Sequence, residues 1–221
     1  PTDAADLLDV LAIFDGAYSA PTNGAIKFTN AIINAGNTVT VEDNETFEIR
    51  AKIENNGVLD VGNNSVIYTL VFTGTGTVNT TREFTRDGWH HISFPVSAKS
   101  LGDLSTTGFS LSYTGNTANV YTWDASTSGW LLGQASTSLS GTPFTMYVPS
   151  ATGCKVDLSV ASSEFNVGRI SQAVDYNNPG SNPPGNGTGW ADPGVTDGWN
   201  MFANTLPAYI DWNKAIFWAS L

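Results

Sequence analysis

The chain has 221 residues, one cysteine, and a net charge of −11 that results from 9 Lys and Arg against 20 Asp and Glu. The negative charge argues against nucleic acid and anionic lipid as partners, and the single cysteine excludes a disulfide framework within the chain. No apolar run approaches the roughly 20 residues that a membrane-spanning helix needs, so membrane insertion is not expected. Only 13% of the residues are charged, and the abundance of Ser, Thr, Asn and Gly is typical of extracellular β-proteins.

Residues 1–80 predict a β-rich region with short turns. The opening segment Asp6–Phe14 is a short helix or strand that ends at Asp15-Gly16. Farther along, apolar residues alternate with polar ones, as at Val39 and Val41, which predicts strands with one inward face. Asn-Gly and Gly-Asn dipeptides at positions 36–37, 56–57 and 62–63 predict turns of hairpin or solenoid type. The run Ser65–Phe72 is apolar on both faces at its end, which favours a central strand of a sandwich over a parallel β-helix.

Residues 81–221 contain a duplicated Gly-Trp unit. Asp87-Gly88-Trp89 opens a strand that Pro95 ends, and Asp197-Gly198-Trp199 repeats this opening 110 positions later. In the first copy, Val120–Asp124 and Trp130–Leu132 predict a hairpin with a five-residue loop.

Further alternating segments predict strands at Phe109–Tyr113, Phe144–Val148 and Val156–Val160. Residues 175–197 are rich in Pro and Gly, which predicts a long loop. The sequence as a whole predicts an all-β fold, antiparallel and sandwich-like, formed as one unit or as two packed β subdomains.

The segment Gly88-Trp89-His90-His91-Ile92-Ser93-Phe94-Pro95 resembles the Gly-Trp-x-x-Ile-Ser-x-Pro segment of modular surface and secreted proteins of Bacteroidetes, many of which are exported through the type IX system. Gly198-Trp199-Asn200 resembles a second segment of these proteins, and the resemblance covers residues 26–221. It implies an extracellular or cell-surface location in an adhesin, a fibre or a large secreted enzyme. The second copy departs from the pattern at Met201–Leu206, where a more polar turn is usual.

Two residue types that often serve chemistry have structural interpretations here. His90 and His91 are adjacent on a predicted strand, so their side chains point to opposite faces and cannot together chelate one metal ion. We expect one inward histidine with a hydrogen-bond partner and one on the surface. Cys154 has no basic neighbour in sequence, which indicates a buried, inert thiol.

The seven Trp residues raise the question of carbohydrate binding. Trp89, Trp123 and Trp218 lie among apolar neighbours, which predicts that they belong to the core. Trp190 lies between Gly189 and Ala191 in the Pro/Gly-rich loop and is the candidate ligand-binding residue. In the same loop, Asp192 and Asp197 are weak candidates for calcium, because carboxylates are hard oxygen ligands. No cofactor other than calcium is expected.

These patterns predict a non-catalytic extracellular structural or adhesion module of a cell-surface or filament-forming protein, and not an enzyme. The predicted strands contain the distinctive residue patterns of the sequence, whereas the predicted loops contain mainly Ser, Thr, Asn and Gly. The alternative is a carbohydrate-binding module accessory to a secreted enzyme, with a surface glycan as partner.

The second Gly-Trp copy lacks the return strand that follows Trp123 in the first copy. Only three residues follow Trp218 in the sequence. We therefore predict an open strand edge at Ala215, Ile216, Phe217 and Trp218. The chain would self-associate through this edge, unless the same polypeptide continues past Leu221.

Overall fold

A computed structural model describes residues 10–19, 26–124, 129–150 and 152–167 of the chain. These residues form short 3-10 turns and fifteen β-strands, which confirms the all-β class. The strands are β1 (Leu11–Phe14), β2 (Tyr18–Ser19), β3 (Ile26–Ile33), β4 (Thr38–Val41), β5 (Thr46–Asn55), β6 (Val58–Val61), β7 (Val66–Tyr68), β8 (Val71–Thr73), β9 (Thr77–Phe84), β10 (Gly88–Ile92), β11 (Ser105–Thr107), β12 (Val120–Asp124), β13 (Gly129–Leu132), β14 (Phe144–Val148) and β15 (Cys154–Ala161). Within these ranges no helix is long and apolar enough to cross a membrane.

Strands β1 to β9 wind into four coils, each of which contributes to two sheets. Sheet A contains β1, β3 and β5, followed by β7 and β8, and every pair in it is parallel. In sheet B, β2, β4, β6 and β9 are also parallel neighbours. A chain that alternates between two parallel sheets is a β-solenoid. The prediction of an antiparallel sandwich is therefore wrong for this half of the chain.

The solenoid follows from apolar residues that recur at the length of one coil. Thr38 pairs with Val58 and Val58 pairs with Thr77, so equivalent positions recur after 20 and then 19 residues. The same step aligns the fully buried side chains of Val39, Leu59 and Val78. A single coil cannot bury its own apolar side, and stacking of the coils creates the core.

The turns between coils are joined by Asn and Asp side chains. The Asn63 N–H donates to Oδ1 of Asp43 at 2.7 Å, and the Glu83 N–H donates to Oδ1 of Asn63 at 3.1 Å. Asn44 and Asn64 occupy left-handed backbone conformations with φ of 65° and 58°, which Asn tolerates better than most residues. The dipeptides that predicted turns thus lie at bends between sheets A and B.

The run Ser65–Phe72 is not one strand. β7 and β8 both pair with β5, and between them Leu70 is 76% exposed. Val66 and Ile67 enter the core, whereas Val71 is exposed. The prediction of a central sandwich strand is wrong, because the apolar residues of this run divide between core and solvent.

The pairing changes from parallel to antiparallel at β9. One edge of β9 pairs with β6, and the other pairs antiparallel with β15, which in turn pairs with β11. A separate antiparallel sheet, sheet C, has the strand order β10-β14-β12-β13. Buried side chains from all three sheets form one cluster. The predicted boundary between residues 80 and 81 lies inside β9, and the division into two regions stays a prediction.

Strand predictions in the second half have mixed outcomes. The strand Phe144–Val148 and the hairpin of β12 with β13 are confirmed. No strand forms over residues 109–113, because the backbone there pairs with a side chain. Asn119 Oδ1 accepts from the Ser112 N–H at 2.7 Å, and Asn119 Nδ2 donates to the Ser110 carbonyl at 2.8 Å.

Candidate functional site

Most residues that the sequence singled out for binding or assembly lie outside the described ranges. This holds for the ligand candidate Trp190, for the calcium candidates Asp192 and Asp197, and for the assembly edge at residues 215–218. The second Gly-Trp copy and Trp218 also lie outside the described ranges. All the predictions made for these residues therefore stay predictions.

The two histidines lie as predicted. His90 is half-buried, its Nε2 is 2.9 Å from the Arg86 carbonyl oxygen, and its ring packs on Phe84 with centroids 4.7 Å apart. His91 is exposed on the opposite face of β10. Cys154 is buried, as expected. In the part of the chain that the structure describes, no three His, Cys, Asp or Glu side chains come together as a metal site.

Sheet C turns one face of β14 toward the core and carries aromatic side chains on its outer face. The inner face carries Phe144, Met146 and Val148, all fully buried. Because side chains alternate along a strand, the residues between them point outward. We name the outward-pointing set the aromatic face; its members are Trp89, His91, Tyr121, Trp123, Trp130, Leu132, Thr145 and Tyr147.

Strand register brings these side chains together. Trp89 on β10 is directly opposite Tyr147 on β14, and Trp123 on β12 is directly opposite Trp130 on β13. Directly opposed residues on one face of an antiparallel pair are close enough for their side chains to touch. The aromatic face is therefore a product of the sheet pairing and not of neighbours in sequence.

The rings form two adjoining groups. Trp89 meets Tyr147 and Tyr121 edge to face, with centroids 5.5 and 5.6 Å apart. Trp130 meets Trp123 edge to face at 5.2 Å and stacks on His91 at 5.8 Å with an angle of 5° between the planes. Edge-to-face and offset-stacked pairs are the favoured aromatic geometries, so the rings hold one another in place.

Several of these rings remain open to solvent. Trp89 is 53% exposed, Trp130 is 45% exposed and Tyr147 is 40% exposed. The prediction that Trp89 belongs to the core is wrong, and Trp123 is half-buried on the same outer face. Both faces of β10 and β12 carry nonpolar residues, so apolar neighbours could not indicate which face is inward. Contiguous exposed apolar surface on a folded chain commonly marks a binding site.

The aromatic face carries no Asp, Glu, Lys or Arg. Its polar groups are the phenol hydroxyls of Tyr121 and Tyr147, the imidazole of His91 and the hydroxyl of Thr145. Thr145 Oγ1 donates to the His90 carbonyl at 3.1 Å and is mostly buried. The face therefore offers ring surface with a few hydrogen-bonding groups among the rings.

A cavity lies on the polar outer side of sheet B. This shallow cavity has a volume of about 340 Å³ and is lined in part by Lys99, Asp103 and Asp157. Asp157 accepts from Thr81 Oγ1 at 2.6 Å, and Lys99 pairs with Glu164 at 3.6 Å.

Asp103 in this cavity is also partnered. Hydrogen bonds from the backbone and then the side chain of Ser100 lower the pKa of its carboxyl. Since these charged groups already have partners within the chain, the aromatic face is the stronger candidate site.

Comparison of the chain with protein families, curated proteins and solved structures finds no match to any of them.

Proposed function

We propose that this chain is a non-catalytic module that binds carbohydrate through the aromatic face of sheet C. The observation that supports the proposal is the exposure of Trp89 and Trp130 on one face of a sheet whose opposite face forms the core. An extracellular module of an adhesin or of a secreted enzyme is the setting that fits such binding, and the low content of charged residues is compatible with it.

The chemistry of sugars explains the choice of ligand. A pyranose ring has an apolar face of C–H groups and a rim of hydroxyls, so it can stack on an aromatic ring while its rim stays hydrated. The indoles of Trp89 and Trp130 offer the ring surface, and the phenols of Tyr121 and Tyr147 offer hydrogen bonds near it. Binding sites combine a largely apolar surface with a few placed polar groups in this way.

Binding to immobilised polysaccharides tests the proposal. The chain should be retained by at least one glycan, and Trp89→Ala and Trp130→Ala should each weaken binding about tenfold or more, because exposed Trp residues are frequent hot spots. Tyr68→Ala is the matched control, since Tyr68 is 41% exposed but lies on β7 in sheet A. Retention that survives both Trp changes would exclude the aromatic face as the site.

A second candidate function is a structural role in a filament or surface layer. Its support is the solenoid itself: in sheet A, β1 pairs with β3 and has no second partner strand among the described residues. An open strand edge can accept a strand from another copy. Sedimentation and negative-stain microscopy over a range of concentrations would test this role, and a chain that stays monomeric throughout would exclude it.

A further inference from the structure

We infer that the ligand of the aromatic face is a neutral, linear polysaccharide whose chain crosses the strands of sheet C from Trp89 toward Trp130. This inference rests on the proposed function and adds to it the charge class of the glycan and the direction in which it lies.

The charge class follows from the side chains of the face. Recognition of a carboxylated or sulfated sugar needs a cation beside it, such as the paired N–H groups of an arginine. The outward positions of β10, β12, β13 and β14 provide none besides the imidazole of His91. The net charge of −11 further opposes the approach of a polyanion.

A cationic glycan is disfavoured by the same set of side chains. The face has no carboxylate that could pair with an amino group on the sugar. Stacking on the indoles and hydrogen bonding to phenols remain available, and neither requires charge on the ligand. Uncharged pyranose units are therefore the class of ligand that the face can accommodate without an unpaired charge.

The direction follows from the positions of the two most exposed indoles. Trp89 is on β10 and Trp130 is on β13, which are the two edge strands of sheet C. Three spacings between neighbouring strands separate their backbones by about 14 Å across the sheet, and the register places Trp130 a further four residues along the strands. The more protected rings of Tyr121 and Trp123 lie on the strand between them. Because the Trp130 ring also stacks on His91 of β10, with centroids 5.8 Å apart, the ring surface is continuous between the two indoles, and a linear chain of sugars can follow it from one to the other.

The test measures binding of the intact chain to soluble polysaccharides by affinity electrophoresis and calorimetry. The probes are neutral hydroxyethyl cellulose, glucomannan and xylan, the polyanion polygalacturonate, and the polycation chitosan. We expect binding to at least one neutral polymer, with a dissociation constant that changes less than about twofold between low and high NaCl, since salt screens interactions between charges. Polygalacturonate should bind at least tenfold more weakly, and any binding of chitosan, which the net charge of −11 attracts, should fall steeply with added NaCl and stay unchanged in Trp89→Ala.

Oligosaccharides of increasing length test the direction. The affinity should rise with length until both indoles are engaged, and Trp130→Ala should remove the gain that longer oligosaccharides have over short ones. Trp130→Phe should restore part of that gain, and Tyr68→Ala should leave it unchanged.

The outcomes separate the inference from the proposed function. Preferred binding of polygalacturonate or chitosan that is lost in Trp89→Ala would keep the carbohydrate-binding function and overturn the charge class. Equal affinity for short and long oligosaccharides would overturn the direction. Absence of binding to every polymer would overturn the proposed function together with the inference.

Discussion

The side-chain amide of Asn55 donates a hydrogen bond of 3.0 Å to Oγ of Ser162, and both residues are buried. The same amide donates to the Thr77 carbonyl at 2.9 Å, and Oδ1 of Asn55 accepts from the Gly57 N–H at 3.2 Å. One side chain thus joins the solenoid turn to the 3-10 turn that follows β15.

Asn55→Ala should destabilise the fold by about 2–4 kcal/mol, because it removes three hydrogen bonds from a buried site and takes away the acceptor of the buried Gly57 N–H. Urea unfolding would measure the change. Ser162→Ala should cost less, and the double variant should cost less than the sum of the two, with a coupling of about 0.5–3 kcal/mol. Strict additivity would mean that the two side chains do not act together.

Gly76→Ala should destabilise the fold by about 2–4 kcal/mol, because the added methyl group has no space. A Cβ at this position would lie 2.1 Å from the Gly57 carbonyl oxygen, which is backbone and cannot turn aside. Gly16→Ala is the control, since a Cβ there meets nothing within 4 Å. Each kcal/mol should lower the melting temperature by about 2–4 °C for a domain of this size. Equal melting temperatures for the two variants would contradict the coil contact.

Trp89→Ala should change the free energy of unfolding far less than Phe144→Ala, although both residues lie on sheet C. Phe144 is fully buried, and its truncation should cost about 3–5 kcal/mol. Trp89 is 53% exposed and loses mainly contacts with Tyr121 and Tyr147. Chemical denaturation of the two variants provides the comparison. A larger loss of unfolding free energy for Trp89→Ala than for Phe144→Ala would indicate that the Trp89 indole belongs to the core, as its apolar neighbours in sequence predicted.

Burial raises the pKa of the Tyr113 hydroxyl, which donates to the Leu101 carbonyl at 3.0 Å. The neutral hydroxyl is therefore favoured in the folded chain. The contribution of the Tyr113 hydroxyl to the free energy of unfolding should be fully present below about pH 10, where the unfolded tyrosine is still protonated. This contribution should be lost as the pH rises through the higher pKa of the folded state.

Tyr113→Phe should accordingly cost about 0.5–1.5 kcal/mol near neutral pH, and this difference from the parent chain should shrink at alkaline pH. Unfolding curves from pH 7 to strongly alkaline conditions would measure it, with Tyr68→Phe as the exposed control. A difference that stays constant with pH would show that burial of the hydroxyl is not its cause.

The sequence predicted which residues form strands better than it predicted how the strands pair. Alternation placed Val39, Phe47 and Val156 correctly on inward faces. Alternation alone cannot distinguish parallel from antiparallel partners, and short Asn-containing turns serve both. The recurrence of Asp43-Asn44 as Asn63-Asn64, 20 positions later, was a signal for the solenoid that could have been found.

The candidate site was harder to predict for a different reason. Trp89 and His91, Tyr121 and Trp123, and Trp130 and Leu132 are each two positions apart, and that spacing already places each pair on one face of a strand. Deciding whether the face is inside or outside required the strand order of sheet C. The sequence therefore contained the members of the aromatic face but not their exposure.

Pairing changes from parallel to antiparallel at β9. The number of coils in the solenoid can therefore change without a change in the strand order of sheet C. Strands β1 to β4 pair only with strands of neighbouring coils, so insertion or loss of about 20 residues among these first coils would change the length of the solenoid by one strand spacing, about 4.8 Å. Sheet C begins after β9 and would keep its own strand order. Chains with more or fewer coils could therefore differ in length while they keep the same aromatic face.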